Sequence, residues 1–246
     1  MNFFALLKVT ASRAPAQPGE GIVNKFMRDN RGFLIFLLFF GLFRTAIADW
    51  NPVPSGSMRP TIQEGDVVFV NRMAYDLKVP LTNRIVAHTG QPVRGDIVTF
   101  YSPIDETRLI KRLVALPGDT VEMRDKVVIV NGQPATYKDL GTARERMSDG
   151  VEIDALRLDE SSNGNDHLVQ WLHPPGASDY DSFGPIVVPP DHFLMLGDNR
   201  DNSADSRYFG LVPRNLLIGR AVRVLVSADI NNNWALKTER WGERLN

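Results

Sequence analysis

From Phe33 to Phe43 the chain reads FLIFLLFFGLF, eleven residues without a polar side chain, and apolar character continues past Arg44 through Ala46, Ile47 and Ala48. A helix that is apolar on every side cannot be a surface helix of a water-soluble body. The 19 residues from Gly32 to Trp50 make about 28 Å of helix at roughly 1.5 Å per residue, close to the roughly 30 Å of a bilayer core. The expectation is one transmembrane helix over 32–50, with Arg44 near one end, its stem along apolar surface and its guanidinium among headgroups.

The flanks orient it. Residues 1–31 carry five basic side chains (Lys8, Arg13, Lys25, Arg28, Arg31) against Glu20 and Asp29, whereas Asp49 to Val68 carries one basic residue against three acidic. Basic residues stay on the cytoplasmic side, so residues 1–31 are expected inside and the rest of the chain outside. A basic lead, a short apolar run and Ala46-Ile47-Ala48 also describe a cleavable secretory leader. Arg44 within the apolar region and the 31-residue lead weigh toward an anchor.

With 246 residues the chain is long enough for one large domain or two modest ones. Twenty-eight Lys and Arg against 29 Asp and Glu give a net charge of -1, without the basic excess of a nucleic-acid-binding protein, so no nucleic acid is expected as a partner. Between Asp139 and Asp191, eleven acidic residues face only Arg144, Arg146 and Arg157, a local net of -8. Cysteine is absent, which removes disulfides, thiolate nucleophiles and cysteine-ligated metals.

Beyond Trp50 the pattern changes to short β-type runs between turn residues, predicting a mainly β body. Asp66–Val70, Asp96–Tyr101, Arg108–Val114, Lys126–Val130, Phe193–Leu196 and Ala221–Val226 read as strands, and Asn131-Gly132 as a tight hairpin turn. The stretch from 139 to 192, rich in Asp, Ser, Gly and Pro with weak periodicity, reads as an inserted lobe with long loops.

Three segments carry residues suited to chemistry. Pro54-Ser-Gly-Ser-Met-Arg-Pro-Thr61 sets two hydroxyls around a glycine, a turn that can present a serine nucleophile, which then needs a base. His88, His167, His173 and His192 sit in turn-like or polar contexts that suit solvated surface positions. Lys111 interrupts an apolar strand, and alternation puts it on one face with Leu109 and Leu113. A lysine stripped of water there loses basicity and can act as a general base. Taken alone, the strand fits better a lysine that snorkels or pairs with a carboxylate. In Gly197–Gly210, Asp198, Asn199, Asp201, Asn202 and Asp205 offer oxygens. Their spacing misses the EF-hand pattern, so Asp and Arg are expected to bond each other and the backbone, with no metal.

Together, PSGSMRPT, LIKRLVALPGD and GDNRDNSADSRYFG, in this order behind an apolar segment, resemble the serine, lysine and C-terminal boxes of bacterial type I signal peptidase, from about Trp50 to Asp229. The resemblance implies an antiparallel β-sheet catalytic body formed by 51–119 and 193–246, with an inserted second β-lobe over 120–192 and no cofactor. It implies Ser57 as nucleophile, Lys111 as general base, a Ser55 hydroxyl donated to the oxyanion, and Ser203 hydrogen-bonding and orienting the lysine amine. Arg112, Asp205 and Arg207 fall on supporting positions, and Met58 on a residue lining the substrate pocket.

The implied partners are membrane lipids and the signal peptides of preproteins, with small residues before the cleavage site. These would lie extended between Asn51–Pro54 and Arg108–Ile110, with Val53, Pro54, Leu109 and Ile110 shaping shallow pockets. The implied location is the bacterial inner membrane, single-pass, with the catalytic body on the outer face. Two alternatives stay open: a peptidase of conjugative-pilin maturation with the same dyad, and a β-rich envelope binding protein without catalysis.

Overall fold

A computed structural model of the chain describes residues 22–80, 82–146, 150–173, 180–230 and 233–245. Two helices, α1 (Ile22–Asp29) and α2 (Arg31–Ala46), precede the strands. In chain order these are β1 (Ala48–Pro52), β2 (Asp66–Asn71), β3 (Asp76–Lys78), β4 (Ile85–His88), β5 (Ile97–Tyr101), β6 (Arg108–Ala115), β7 (Thr120–Arg124), β8 (Val127–Val130) and β9 (Gln133–Pro134). Then follow β10 (Thr136–Arg146), β11 (Glu152–Ser162), β12 (Asn165–His173), β13 (Phe183–Val187), β14 (His192–Leu196), helix α3 (Ser206–Phe209), β15 (Val212–Pro213), β16 (Leu217–Asp229) and β17 (Ala235–Leu236). The chain divides into compact units at Gly41/Leu42, and all strands lie in the second. Of the expected inner segment 1–31, residues 1–21 lie outside the described residues.

The expected helix over 32–50 is corrected. α2 stops at Ala46, and Ala48 to Pro52 pair antiparallel with Val67 to Asn71 of β2. Asp49 explains the stop. Its carboxylate is buried under Arg44, Arg72 and Arg108, an arrangement that belongs to the β body. α2 itself is 16 residues long with no buried residue. Among the described residues no helix is long and apolar enough to cross a membrane.

The mainly β, antiparallel reading holds. The principal sheet runs β1-β2-β16-β5-β6-β14-β15, with β17 beside β16. Three strands separate β1 from β6 in that order, yet Arg108 on β6 bonds Asp49 at 3.0 Å and also Asn51, both on β1. The sheet therefore curls until these two strands face each other across a gap.

β2 alternates buried and half-buried residues, as a strand with one core face should. One apolar cluster gathers Val53, Met58, Ile62, Val68, Val70, Ile97 and Ala221. Another gathers Tyr75, Val98, Phe100, Leu113, Phe193, Met195 and Leu217. Each fully buried large side chain of this kind contributes about 1.5–3 kcal/mol.

The segment expected to hold long loops is instead a three-stranded antiparallel sheet, β10-β11-β12. Its apolar alternation is thin because β10 buries only one residue, Glu145. Pairing rather than apolar periodicity defines it. A third sheet, β13-β7-β8-β9, contains the Asn131-Gly132 turn, where φ is 54° and 76°, the left-handed values a tight hairpin needs.

Candidate active site

The loop after β1 presents Ser57. Val53 donates its N–H to the Asp66 carbonyl at 2.8 Å and accepts from Gly65 at 3.0 Å, so both ends of the loop are pinned to one point of β2. Gly65 has φ +86°, and a Cβ there would run into the Ala228 backbone. Inside the loop Arg59 bonds Glu64 at 2.6 Å and Glu145 of β10 at 2.5 Å. The C-terminal box holds the loop from the other side. Asn199 donates its backbone N–H to the Ser57 carbonyl at 3.1 Å and its side-chain amide to the Gly56 carbonyl at 3.0 Å.

Lys111 reaches this serine from β6, its Nζ donating to Ser57 Oγ at 2.6 Å. Only 3% of Lys111 and 7% of Ser57 is exposed. Leu109 and Leu113, on the same face of β6, both pack into the cluster of Val98, Phe100 and Met195, so the amine emerges through an apolar wall. Burial therefore pulls its pKa down to about 8, although the Asp205 and Asp198 carboxylates pull it back up. No carboxylate pairs with the amine directly among the described residues, which decides against the snorkelling or paired lysine that the strand alone suggested.

Behind the pair the Gly197–Gly210 loop is rigidly cross-braced. Arg112 grips Asp198 with two bonds of 2.8 Å and donates a third to the Gly95 carbonyl. Burial pushes the Asp198 carboxyl up, but Arg112 outweighs it and holds it below the ordinary range. Asp205 caps α3, accepts from Gly197 N–H at 3.0 Å and is gripped by Arg207 at 2.8 Å through two nitrogens. Burial again raises and Arg207 again lowers its pKa, with a net lowering.

A Cβ at Gly197 would strike the Ser203 hydroxyl and the Ser57 carbonyl, so this glycine lets the two boxes close on each other. The oxygens weighed as cation ligands are committed: Asp198 to Arg112, Asp205 to Arg207 and Asp201 to Lys126 at 2.7 Å.

Ser203 departs from expectation. Its hydroxyl is buried and makes no hydrogen bond to Lys111 among the described residues; it sits instead toward the Asp205 carboxylate, whose pKa it helps to lower. The Ser57 hydroxyl itself takes the lysine amine in this arrangement. Ser55 and Pro54 are exposed beside the loop. Val53 and Met58 are buried in one cluster against which Ile110 packs, and Leu109 packs in the other.

Both facing strands have open backbone edges. Val53 spends its N–H and C=O on the β2 side, which turns the carbonyls of Pro52 and Pro54 outward with no N–H beside them. On β6, Leu113 bonds toward Asp96 and Gly95, so alternation turns Arg108 and Ile110 away from β5. Along β6, β14 pairs only with Arg112 to Ala115.

Several residues of the site escaped sequence reading. Gln170 on β12 bonds the Asp198 carbonyl at 2.9 Å and the Arg200 N–H at 3.1 Å through its backbone. Glu160 on β11 pairs with Arg200 at 2.6 Å, both almost fully buried. Lys126 and the Leu172 N–H hold Asp201. The acidic lobe thus braces the loop that braces Ser57. His167 corrects the surface expectation: its side chain is 7% exposed, 3.5 Å from Glu160, and burial, aided by Arg112, drives its pKa down to about 4. His88 is exposed, and the side chain of His173 lies outside the described residues.

The family model described as signal peptidase, peptidase S26, matches residues 28–226. The chain belongs to the signal peptidase family.

Signal peptidase I of Pseudomonas fluorescens is 31% identical over 232 residues, covering 86% of this chain and 78% of that protein. Signal peptidase I of Rickettsia typhi is 33% identical, covering 84% and 83%. A crystal structure of a signal peptidase I from Enterococcus faecalis is 30% identical and covers 53% of this chain and 96% of that chain, at a TM-score of 0.31. As a peptidase of this family the chain needs an activated nucleophile, and the buried serine–lysine contact is where such chemistry can occur.

Proposed function

We propose that this signal peptidase is a membrane-anchored serine endopeptidase that removes signal peptides from exported preproteins, with Ser57 as nucleophile and Lys111 as general base. The observation that carries this reading is the 2.6 Å contact between Lys111 Nζ and Ser57 Oγ with a desolvated amine. Neutral Lys111 takes the Ser57 proton as Oγ bonds the scissile carbonyl carbon, and the carbonyl electron pair moves onto oxygen. The Ser57 N–H and the exposed Ser55 hydroxyl receive that oxyanion. The lysine ammonium then protonates the departing amine as the C–N bond breaks, leaving an acyl ester. Water, deprotonated by Lys111, hydrolyses the ester, and the proton returns to Ser57.

Arg112, Asp205 and Arg207 act through the loops they fix. An extended signal-peptide end adds between the open edges of β1 and β6, its N–H groups meeting the Pro52 and Pro54 carbonyls and both its polar groups meeting Ile110. Val53, Met58, Leu109 and Ile110 supply the apolar floor that admits small side chains.

α2, largely apolar and without a buried residue, supports the anchor, with the basic N-terminal flank on the cytoplasmic side of a bacterial inner membrane and the β body on the outer face. The test is cleavage of several unrelated preproteins by the full chain, Ser57→Ala and Lys111→Met. The wild type should cleave all of them and both variants none; cleavage by either variant at the wild-type rate would overturn the assignment.

A further inference from the structure

A cavity of about 560 Å³ opens beside β1, lined by Arg44, Arg72 and Arg108 together with Asp49, Tyr101 and Asn83. Asp49, 4% exposed, is the carboxylate at which all three arginines converge, at 3.3, 3.4 and 3.0 Å. One carboxylate balances one guanidinium, so two positive charges around it remain uncompensated at Asp49. Glu106 also lines the cavity, which leaves a net charge of +1 over the whole lining. Arg44 spends only Nε on Asp49 and lies 4.5 Å over the Trp50 ring. Arg72 gives Asp49 only Nη1. A guanidinium carries five N–H donors in a planar fork suited to phosphate oxygens, so most of this donor set is unspent. Leu42, Phe43 and Ile47, each more than 40% exposed, flank Arg44 in sequence. The cationic cavity and an exposed apolar surface thus meet at one residue, the arrangement that a phospholipid with its chain and headgroup requires.

We infer that this cavity is a binding site for the phosphate of an anionic phospholipid headgroup, held by Arg44 and Arg72, with Arg108 linking it to the β1–β6 gap. The inference rests on the membrane-anchored reading above, and it adds a headgroup contact that anchoring by α2 alone does not require. The bound phosphate would neutralise the surplus charge and set the gap at a fixed depth beside the bilayer.

The full chain in neutral detergent is titrated with short-chain phosphatidylglycerol, short-chain phosphatidylcholine and inorganic phosphate, by calorimetry. Wild type should bind phosphatidylglycerol tightest. Arg44→Gln and Arg72→Gln should each weaken that binding about fivefold, following roughly 1 kcal/mol per basic residue at an anionic surface, while turnover of a soluble peptide substrate stays unchanged. Each variant leaves Asp49 two arginine partners, and a thermal melt checks that it folds.

Equal affinity for the two lipids, or no effect of either substitution in folded protein, would overturn the site. Inorganic phosphate binding as tightly as phosphatidylglycerol would mark a free-anion site and overturn the lipid assignment. Flotation with vesicles of phosphatidylcholine alone reads the anchor separately, since failure there defeats the membrane reading without touching the titration.

Discussion

Arg112 and Asp198 form a two-pronged ion pair, both contacts 2.8 Å, with 2% and 1% of their side chains exposed. A pair so far from water is held by geometry, since each partner alone would be a buried charge without compensation. Because Asp198 begins the loop whose Asn199 holds Ser57, the pair transmits order from β6 to the serine.

Arg112→Met should destabilise the fold by about 3–5 kcal/mol, because it strands the Asp198 charge. Arg112→Met combined with Asp198→Leu should recover most of that loss. Chemical denaturation of the single and double variants checks it; equal losses in both would show that the charge pair is not what stabilises this loop.

Asn199→Ala removes the amide bonded to the Gly56 carbonyl but keeps the backbone bond to Ser57. Turnover should fall by about tenfold or more with KM little changed, since a serine displaced by a fraction of an ångström loses attack geometry rather than binding. Glu160→Gln, which breaks the lobe's buried pair with Arg200, should lower turnover in the same direction together with melting temperature. Steady-state kinetics beside thermal melts separates the two effects.

How much of this was legible in the sequence follows from the kind of signal each part leaves. β2 and β6 carry their pattern in apolar side chains, and the Asn131-Gly132 turn in two residues that accept positive φ. The β10–β12 sheet buries Glu145, Glu160 and Gln170 beside Ala155, Leu158 and Val169, so the polar residues interrupt its apolar alternation and its sequence looks like a polar loop. His167 misled for the same reason, being buried among charges rather than apolar residues. α2 reads four residues too long because Ile47, Ala48 and Trp50 prolong the apolar run, and only the convergence of Arg44, Arg72 and Arg108 on Asp49 reveals why the chain turns there. Ser57 and Lys111 are 54 residues apart, and neither residue's neighbours announce the other. Their motifs did, through resemblance, whereas the braces Glu160, Gln170 and Lys126 belong to a segment without such a motif.

Lys111→Met should make the folded state more stable at neutral pH while abolishing cleavage. The folded pKa of Lys111 lies at about 8, below its ordinary 10.5. Between those values the unfolded chain binds more protons, so stability rises with pH there, and below pH 8 the full cost of burying the amine is present. An apolar residue of similar length removes that cost, up to about 3 kcal/mol. Melting temperatures at pH 7 for the two proteins check it; a variant melting well below the wild type would contradict the desolvated amine.

The most direct measurement of the Ser57–Lys111 assignment is the pH dependence of kcat/KM for a signal-peptide substrate between pH 5 and pH 11. The free enzyme must hold Lys111 neutral, so activity should be low in acid, rise through a single ionisation at about pH 8 and level off above it. Lys111→Met should show no activity at any pH. A rise centred near 10.5, the ordinary value of a lysine, or Lys111→Met retaining the wild-type profile, would contradict a dyad in which Lys111 activates Ser57.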